Sequence, residues 1–303
     1  MIAKKPFFPE YPQSSQPRAA TFPQAGYLNC RRELLSLQHP RIAGILNLTP
    51  DSFSDGGQHN RPDAALRHTE AMLQAGADFI DVGGVSTRPY APEVDEATEL
   101  QRVMGILPLL IEHFPRARFS IDTFRAKVAE EALAAGAVMV NDISGGVFDP
   151  EIFSVAARHK APYVLMHMQG TPQTMQDDPQ YEDVAQQVYS FFVQQLNRAK
   201  AAGLADILLD PGFGFGKTVA HNYALFRALP DFHALGCPLY IGISRKSMLS
   251  KGLDISREAT EAPALALHLQ ALLQGVAFLR VHQVAAAALA RKLYFHLSAD
   301  GTL

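Results

Sequence analysis

Eight short apolar segments recur along the chain, and each of them ends in polar or charged residues. Their Val, Ile, Leu and Phe content and their flanking turn residues are typical of strands buried on both faces. With their polar ends included, they are Gly44–Gly57, Phe79–Arg88, Phe119–Asp122, Met139–Asp142, Tyr163–His167, Ile207–Asp210, Tyr240–Ser247 and Phe278–His282. A chain that places Asn, Asp, Lys, Arg and His at the same end of every strand gathers these polar side chains on one face of the fold.

Helical stretches separate these segments, so the sequence alternates strand and helix eight times. The predicted helices cover residues 62–75, 96–113, 124–135, 150–159, 181–202, 222–229, 259–274 and 284–297. In a chain of 303 residues this alternation predicts a (β/α)8 TIM barrel, an α/β fold of about 250 residues whose active site lies at the carboxyl ends of the strands. The main alternative is a doubly wound open sheet, which would need polar residues only at one switch point.

Composition limits the possible partners and compartments. The chain has 48% hydrophobic and 19% charged residues, a net charge of -3 and no basic stripe, so no nucleic-acid partner is expected. No apolar stretch reaches the roughly 18–20 residues of a membrane span, so no membrane partner is expected either. Cys30 and Cys237 are too few for a disulfide framework and lack metal-ligand spacing. Two reduced thiols favour a cytoplasmic protein.

The amino-terminal residues differ from the rest of the chain. Residues 1–24 are rich in Pro, Ser and Gln and show no helical or strand periodicity, which predicts a flexible extension. Lys4 and Lys5 do not begin a signal peptide, because no continuous apolar core follows them. Residues 25–303 are predicted to form a single barrel domain, with Leu28 to Leu37 covering the bottom of the barrel.

Two loops after neighbouring strands are suited to closing over a substrate. One follows Asn47 and extends to Asn60, and the other follows Asp81 and runs from Gly83 to Pro92. Long loops with glycine pivots, hydroxyl groups and an aromatic or arginine side chain are typical of mobile lids. Two of them on adjacent strands favour a substrate that is enclosed during the reaction.

The segment LDPGFGFGKT, which begins at Leu209, contains a carboxylate between a strand and two aromatic rings. It resembles a phosphate-binding loop, but its glycine spacing is one residue short of the required motif. Asp210 can instead accept two parallel N–H bonds from an amidine-like edge. Phe213 and Phe215 offer ring faces beside it. This combination predicts a site for a flat heterocycle.

Eight segments resemble, in order, the signatures of the dihydropteroate synthase family. They are GILNLTPDSFSDGG, DVGGVSTRP, SIDT, NDISGG, YVLMHMQGTPQTMQ, LLDPGFGFGK, GISRKSML and RVHQV, from about residue 42 to residue 284. The resemblance implies a (β/α)8 barrel, usually a homodimer. It also implies an enzyme that joins p-aminobenzoate to 6-hydroxymethyl-7,8-dihydropterin diphosphate with Mg2+, releasing pyrophosphate and 7,8-dihydropteroate.

By this resemblance, the pterin would contact six side chains. Asp210 would take its 2-amino and N3–H edge, and Asp122 would stabilise positive charge as the C–O bond to the diphosphate breaks. The full predicted set is Asp122, Asn141, Met166, Asp210, Phe215 and Lys246. Catalysis is expected to depend on Asp122, Lys246, Arg280 and His282. No strong general base is expected, because an aryl amine is already neutral at pH 7.

The resemblance also implies positions for the other reacting groups. The diphosphate would be held by Asn47, Arg280 and His282, with the Asn47 oxygen also bound to Mg2+. The predicted contacts of p-aminobenzoate are Phe53, Thr87, Arg88, Pro89 and Ser247.

Three residues depart from the family's usual pattern. Val85 stands where Glu is usual, Gln283 where Asp is usual, and Tyr90 where Gly is usual. None of them is among the residues assigned to substrate, but they leave open a weakly active or inactive paralogue. The pterin-binding carboxylate and asparagine would also suit a methyltransferase-type barrel or a non-enzymatic pterin-binding module.

Overall fold

The computed structural model describes residues 26–31, 33–49 and 61–298. The strands within these ranges are β1 (Tyr27–Cys30), β2 (Glu33–Ser36), β3 (Arg41–Asn47), β4 (Phe79–Gly83), β5 (Arg118–Asp122), β6 (Met139–Asp142), β7 (Tyr163–Met166), β8 (Ile207–Asp210), β9 (Tyr240–Ile241) and β10 (Phe278–Val281). The α-helices are α1 (Arg61–Gln74), α2 (Glu96–Met104), α3 (Leu107–His113), α4 (Ala126–Ala135), α5 (Glu151–Arg158), α6 (Val184–Ala201), α7 (Val219–Arg227), α8 (Ser247–Leu253), α9 (Glu261–Leu273) and α10 (Val284–Leu297).

Strands β3 to β10 form one parallel sheet that closes on itself. Their order is β8-β7-β6-β5-β4-β3-β10-β9. A parallel bridge joins Leu209 of β8 to Leu239 beside β9, and the Leu209 N–H donates to the Pro238 carbonyl at 2.9 Å. The prediction of a (β/α)8 TIM barrel is therefore confirmed, and the alternative of a doubly wound open sheet is excluded.

The barrel is built by strands that are buried on both faces. All five residues of β4 are buried, although its sequence includes the carboxylate of Asp81. Apolar side chains of the strands and helices pack into one large core around the barrel. The polar strand ends are therefore carried on a rigid frame, which fixes their spacing at the top of the barrel.

Two helices differ from the prediction. The predicted helix over residues 96–113 is divided into α2 and α3, because Gly105 ends the first and Pro108 stands in the first turn of the second. Proline lacks the N–H that a continuous helix needs and is favoured in a first turn. Helix α8 was not predicted, since its seven residues contain Gly252 and form barely two turns.

An antiparallel hairpin of β1 and β2 covers the amino end of the barrel, as the sequence predicted. Leu28, Cys30 and Leu35 are buried there. They pack against residues of the strands' amino-terminal halves, among them Phe79 and Phe278. The bottom of the barrel is thereby closed. No helix within the described ranges is long and apolar enough to cross a membrane.

The predicted extension, residues 1–24, lies outside the described residues. We expect its deletion to leave the melting temperature and turnover nearly unchanged, because the described cover of the barrel bottom begins only at Tyr27. Thermal melts and steady-state rates of the full and shortened chains measure this. A large fall in melting temperature would show that the extension packs on the barrel or on a second subunit.

Candidate active site

A cavity of about 400 Å³ opens at the carboxyl ends of the barrel strands. We call it the mouth cavity. Its lining includes ten residues that the sequence assigned to substrate or metal, namely Asn47, Thr87, Arg88, Pro89, Asp122, Phe215, Lys246, Ser247, Arg280 and His282. The chain thus brings the ends of β3, β4, β5, β8, β9 and β10 to one place, as expected for the working face of this fold.

A smaller pocket of about 50 Å³ adjoins the mouth cavity. We call it the inner pocket. Three further predicted residues line it, Asn141, Met166 and Asp210, together with Phe215, Lys246, Arg280 and His282. Those last four belong to both cavities, so the two are continuous. Every predicted site residue within the described ranges lines one or both cavities, and Phe53 lies outside those ranges.

Arg280 stands at the centre of a buried polar network. Its Nε donates to Asp81 Oδ2 at 2.6 Å, and its Nη2 donates to Asp122 Oδ2 at 2.5 Å. Asp81 also accepts from Ser120 Oγ at 2.6 Å and from Asn141 Nδ2 at 2.9 Å. Asp81 therefore fixes two predicted substrate-binding side chains, although it was not itself among the predicted site residues. An Asp within an otherwise apolar buried strand was the available signal.

One guanidinium faces two carboxylates in this network. Burial alone would lower the pKa of Arg280, but the Asp81 and Asp122 carboxylates raise it above its ordinary value. Burial raises the pKa of Asp122, while the Arg280 guanidinium opposes that rise. Arg280 can therefore donate hydrogen bonds to an anion, but its positive charge is already shared with two carboxylates.

Asp210 ends β8 and is 4% exposed. Its Oδ1 accepts a hydrogen bond from the Gly212 N–H at 2.8 Å, whereas Oδ2 accepts none from the described part of the chain. Burial raises the pKa of Asp210 to about 6, against the opposing effects of the Gly212 bond and of Lys246. At neutral pH the inner pocket thus contains a carboxylate with a free oxygen.

Lys246 lies over the ring of Phe215, with 4.1 Å between its Nζ and the ring centroid. This is cation–π geometry. Desolvation lowers the pKa of Lys246 to about 8, and Arg280 adds to the effect. The ammonium and the ring together form the shared wall of the inner pocket and the mouth cavity.

His282 is a neutral group in this site. Burial, followed by the nearby Arg280, lowers its pKa to about 3. Two cations that the sequence analysis did not assign, Arg245 and Arg257, line the mouth cavity and a neighbouring space of about 350 Å³ next to Asn47. The second space has no Asp or Glu among its described lining residues, so an anion there would meet uncompensated positive charge.

The three departures from the family pattern stand away from the inner pocket. Val85 lines another cavity of about 240 Å³ with Phe124 and Phe148, which shares Thr87 with the mouth cavity. Gln283 precedes the first residue of α10, and its side chain makes no capping bond. The hydroxyl of Tyr90 donates to Asp177 Oδ1 at 3.1 Å, which ties the second predicted lid to the loop after β7.

Comparison with known proteins supports this geometry. Residues 43–282 match the family model described as pterin binding enzyme. The dihydropteroate synthase of Escherichia coli strain K12 is 45% identical over 252 residues, which are 82% of this chain and 89% of that protein.

Solved structures agree with the sequence match. The dihydropteroate synthase of Xanthomonas albilineans with 4-aminobenzoic acid is 39% identical, with a TM-score of 0.84 over 92% of this chain and 99% of that chain. The same organism's synthase in complex with 7,8-dihydropteroate is 37% identical, with a TM-score of 0.81 over 90% and 99% of the two chains. The chain therefore belongs to the pterin-binding enzymes and, among them, to the dihydropteroate synthases.

Proposed function

We propose that this chain condenses p-aminobenzoate with 6-hydroxymethyl-7,8-dihydropterin diphosphate to give 7,8-dihydropteroate and pyrophosphate. One observation carries the proposal: a buried carboxylate, Asp210, with a free oxygen in a small pocket that is continuous with a larger cationic cavity. The solved Xanthomonas albilineans synthase complexes with 4-aminobenzoic acid and with 7,8-dihydropteroate agree with this pair of reacting groups.

The inner pocket would hold the pterin ring. Asp210 would accept the 2-amino and N3–H donors, and a charged acceptor makes such paired bonds strong. Asn141 would meet a neighbouring ring nitrogen, with Met166 and Phe215 against the ring faces. Lys246 Nζ lies 4.1 Å from the centroid of the Phe215 ring, so its ammonium would lie beside the carbonyl and N5 of a pterin packed on that ring.

The mouth cavity would hold the groups that react. As the C–O bond to the diphosphate breaks, positive charge develops on the pterin methylene carbon, and the Asp122 carboxylate would stabilise it. Thr87, Arg88, Pro89 and Ser247 would hold p-aminobenzoate so that its amine attacks that carbon. The attacking amine then loses a proton to water, and pyrophosphate carries away the electron pair of the broken bond.

The leaving diphosphate would be surrounded by donors of different kinds. Arg280 and neutral His282 would donate hydrogen bonds. Because the charge of Arg280 is shared with two carboxylates, much of the net positive charge would come from Arg88, Arg245 and Arg257. Such preorganised groups act mainly on the charge that develops at the leaving oxygen.

Magnesium is the proposed cofactor. Among the described residues no cluster of three or more His, Cys, Asp or Glu side chains could hold a metal. A site with few protein ligands suits Mg2+, which commonly binds one or two protein oxygens and completes its shell with water and substrate phosphates. Asn47 would supply an amide oxygen. When bound, the ion would neutralise charge on the departing phosphate oxygens.

The decisive experiment is the release of pyrophosphate by the purified chain. We expect release from the pterin diphosphate with Mg2+ only when p-aminobenzoate is also present, and formation of dihydropteroate in equal amount. A barrel that transfers methyl groups, or one that only binds pterins, would release none under either condition. Absence of release, or release that does not depend on p-aminobenzoate, would contradict the proposed reaction.

The departures at 85 and 283 give a prediction about activity. We expect Gln283→Asp to change turnover only a few-fold, because Gln283 lines neither the mouth cavity nor the inner pocket. The double variant Val85→Glu/Gln283→Asp should likewise change turnover only a few-fold. Steady-state kinetics of the three proteins measure this. A silent parent with an active double variant would instead identify a disabled paralogue.

We also propose that the chain forms a homodimer through α9 and α10. Leu289, Leu293 and Leu297 follow one another at helical spacing on α10 and are 55%, 45% and 61% exposed, and Leu273 of the adjoining helix α9 is 40% exposed. An apolar stripe of this kind is typical of an interface.

Light scattering should give a dimer for the parent and a monomer for Leu289→Glu/Leu293→Glu. Leu34→Glu, at an exposed position of the bottom hairpin, is the matched control.

A cytoplasmic location is proposed on the state of the two cysteines. Cys30 and Cys237 are buried and unpaired. Burial raises the pKa of Cys30 to about 12 and also raises that of Cys237, so both thiols would be unreactive. Fractionation of cells that produce the protein tests the location.

A further inference from the structure

Lys217 is a buried lysine that the proposed chemistry does not use. It is 2% exposed and lies at the end of the loop that joins β8 to α7. Its Nζ donates to the carbonyls of Gly212 and Phe215, both at 3.0 Å, and lies 3.0 Å from His167 Nδ1 and 3.4 Å from the His167 carbonyl. The ammonium is thus enclosed by the loop that also carries Asp210 and by the end of β7.

The backbone of this loop is wound tightly against its neighbours. Gly212 and Gly216 have φ angles of +72° and +61°, and a Cβ would lie 1.9 Å from the His167 carbonyl oxygen and 2.4 Å from the Gln169 carbonyl oxygen, respectively. Only glycine allows both the conformation and the approach. Carbonyl groups therefore turn inward, and Lys217 supplies the donors that satisfy them.

No carboxylate pairs directly with Lys217 among the described residues. Burying an ammonium without an ion pair is costly, and an apolar side chain of similar length would avoid that cost. Lys217 is nevertheless coupled to one carboxylate, since Asp210 raises the pKa of Lys217 and Lys217 lowers that of Asp210. The other charged or titratable groups that face the pair are Lys246, Arg280, His167 and His221.

We propose that Lys217 is a positioning residue for pterin recognition, because its ammonium holds the loop that presents Asp210 and Phe215. This inference rests on the proposed function, because it assigns the inner pocket to the pterin. The geometry carries it, since one side chain links the carbonyls of Gly212 and Phe215 to β7.

The proposal predicts the direction in which pterin affinity changes with pH. Desolvation lowers the pKa of Lys217 to about 7, so its ammonium is present in the range near pH 6 where Asp210 titrates. Pterin affinity should therefore fall as the pH drops through the pKa of Asp210. Without Lys217 the carboxylate takes up its proton at a higher pH, and affinity should be lost earlier during acidification.

The test is Lys217→Met in the full chain, with kinetics from pH 5.5 to 9. We expect KM for the pterin diphosphate to rise about tenfold or more, by analogy with groups that orient metal-ligating side chains. KM for p-aminobenzoate should stay within about twofold, and the acid limb of the pterin KM profile should move to higher pH. Calorimetric titration with 6-hydroxymethylpterin, which has no diphosphate, checks the affinity directly.

Two controls separate the possible outcomes. Lys200→Met changes an exposed lysine of α6 and should leave both KM values and the acid limb unchanged. Should Lys217→Met fail to fold, Lys217→Gln keeps two donors without the charge, and its acid limb should still move. An unmoved acid limb and an unchanged pterin KM in either folded variant would overturn the proposal. Failure of the parent to bind 6-hydroxymethylpterin would instead contradict the proposed function.

Discussion

Asp210→Asn should weaken pterin binding by about 10- to 150-fold, which corresponds to about 1.5–3 kcal/mol for a hydrogen bond to a charged group. The amide oxygen can still accept from Gly212 N–H, as Oδ1 does at 2.8 Å in the parent, so the loop after β8 should keep its conformation. The amide nitrogen, however, would face the pterin's donors with a donor of its own. Calorimetric titration with a pterin and KM for the pterin diphosphate measure the change.

A matched substitution at an exposed aspartate, Asp178→Asn, should leave both quantities unchanged. The two variants carry the same change of charge, so only their positions differ. Unchanged pterin affinity in Asp210→Asn would remove Asp210 from the binding site and would leave the inner pocket without its ionised acceptor.

Arg280→Met should destabilise the fold by about 3–5 kcal/mol, because removal of one partner of a buried ion pair leaves uncompensated charge behind. Here two carboxylates lose the same guanidinium, at 2.6 Å from Asp81 and 2.5 Å from Asp122. Urea unfolding at pH 7 measures the free energy. The loss should shrink at lower pH, because burial raises the pKa of Asp122 and protonation of that carboxyl removes part of the unpaired charge. Pyrophosphate release should fall as well.

A double-mutant cycle identifies the origin of that loss. Asp81→Asn/Arg280→Met should recover part of the stability, since one of the two unpaired carboxylates is then neutral. Arg280→Lys should remain destabilised, because a single ammonium cannot reproduce the two separate donors Nε and Nη2. A destabilisation of less than about 1 kcal/mol in Arg280→Met would show that water or a relaxed side chain satisfies the carboxylates, as at an exposed pair.

The sequence was sufficient to predict the barrel and the positions of the site residues that the structure describes. Buried parallel strands have a strong apolar signal, and the carboxyl ends of all eight lie at one end of the barrel. Asp210 was predicted from its place between a strand and two aromatic rings, whereas Asp122 and Asn141 were assigned through the family resemblance. Their places in the cavities follow from topology and do not require knowledge of side-chain contacts.

The connections among these residues were not predictable in the same way. Asp81 lies within a strand, and its contacts with Arg280 and Asn141 depend on how three separate strands align. In the sequence, Lys217 looked like part of a phosphate-binding motif. Its burial could not be predicted, because it depends on how the loop winds around the side chain. Helix α8 was missed since seven residues are too few for a clear period.

Both ends of the described chain lie on the side of the barrel away from the mouth. The bottom hairpin carries one of them, and α10 runs back from the mouth, with Arg291 donating to the Pro40 and Gly76 carbonyls and Phe295 in contact with His39. A protein attached at Gly26 or at Ser298 would therefore start from the face of the barrel opposite the entry for substrates.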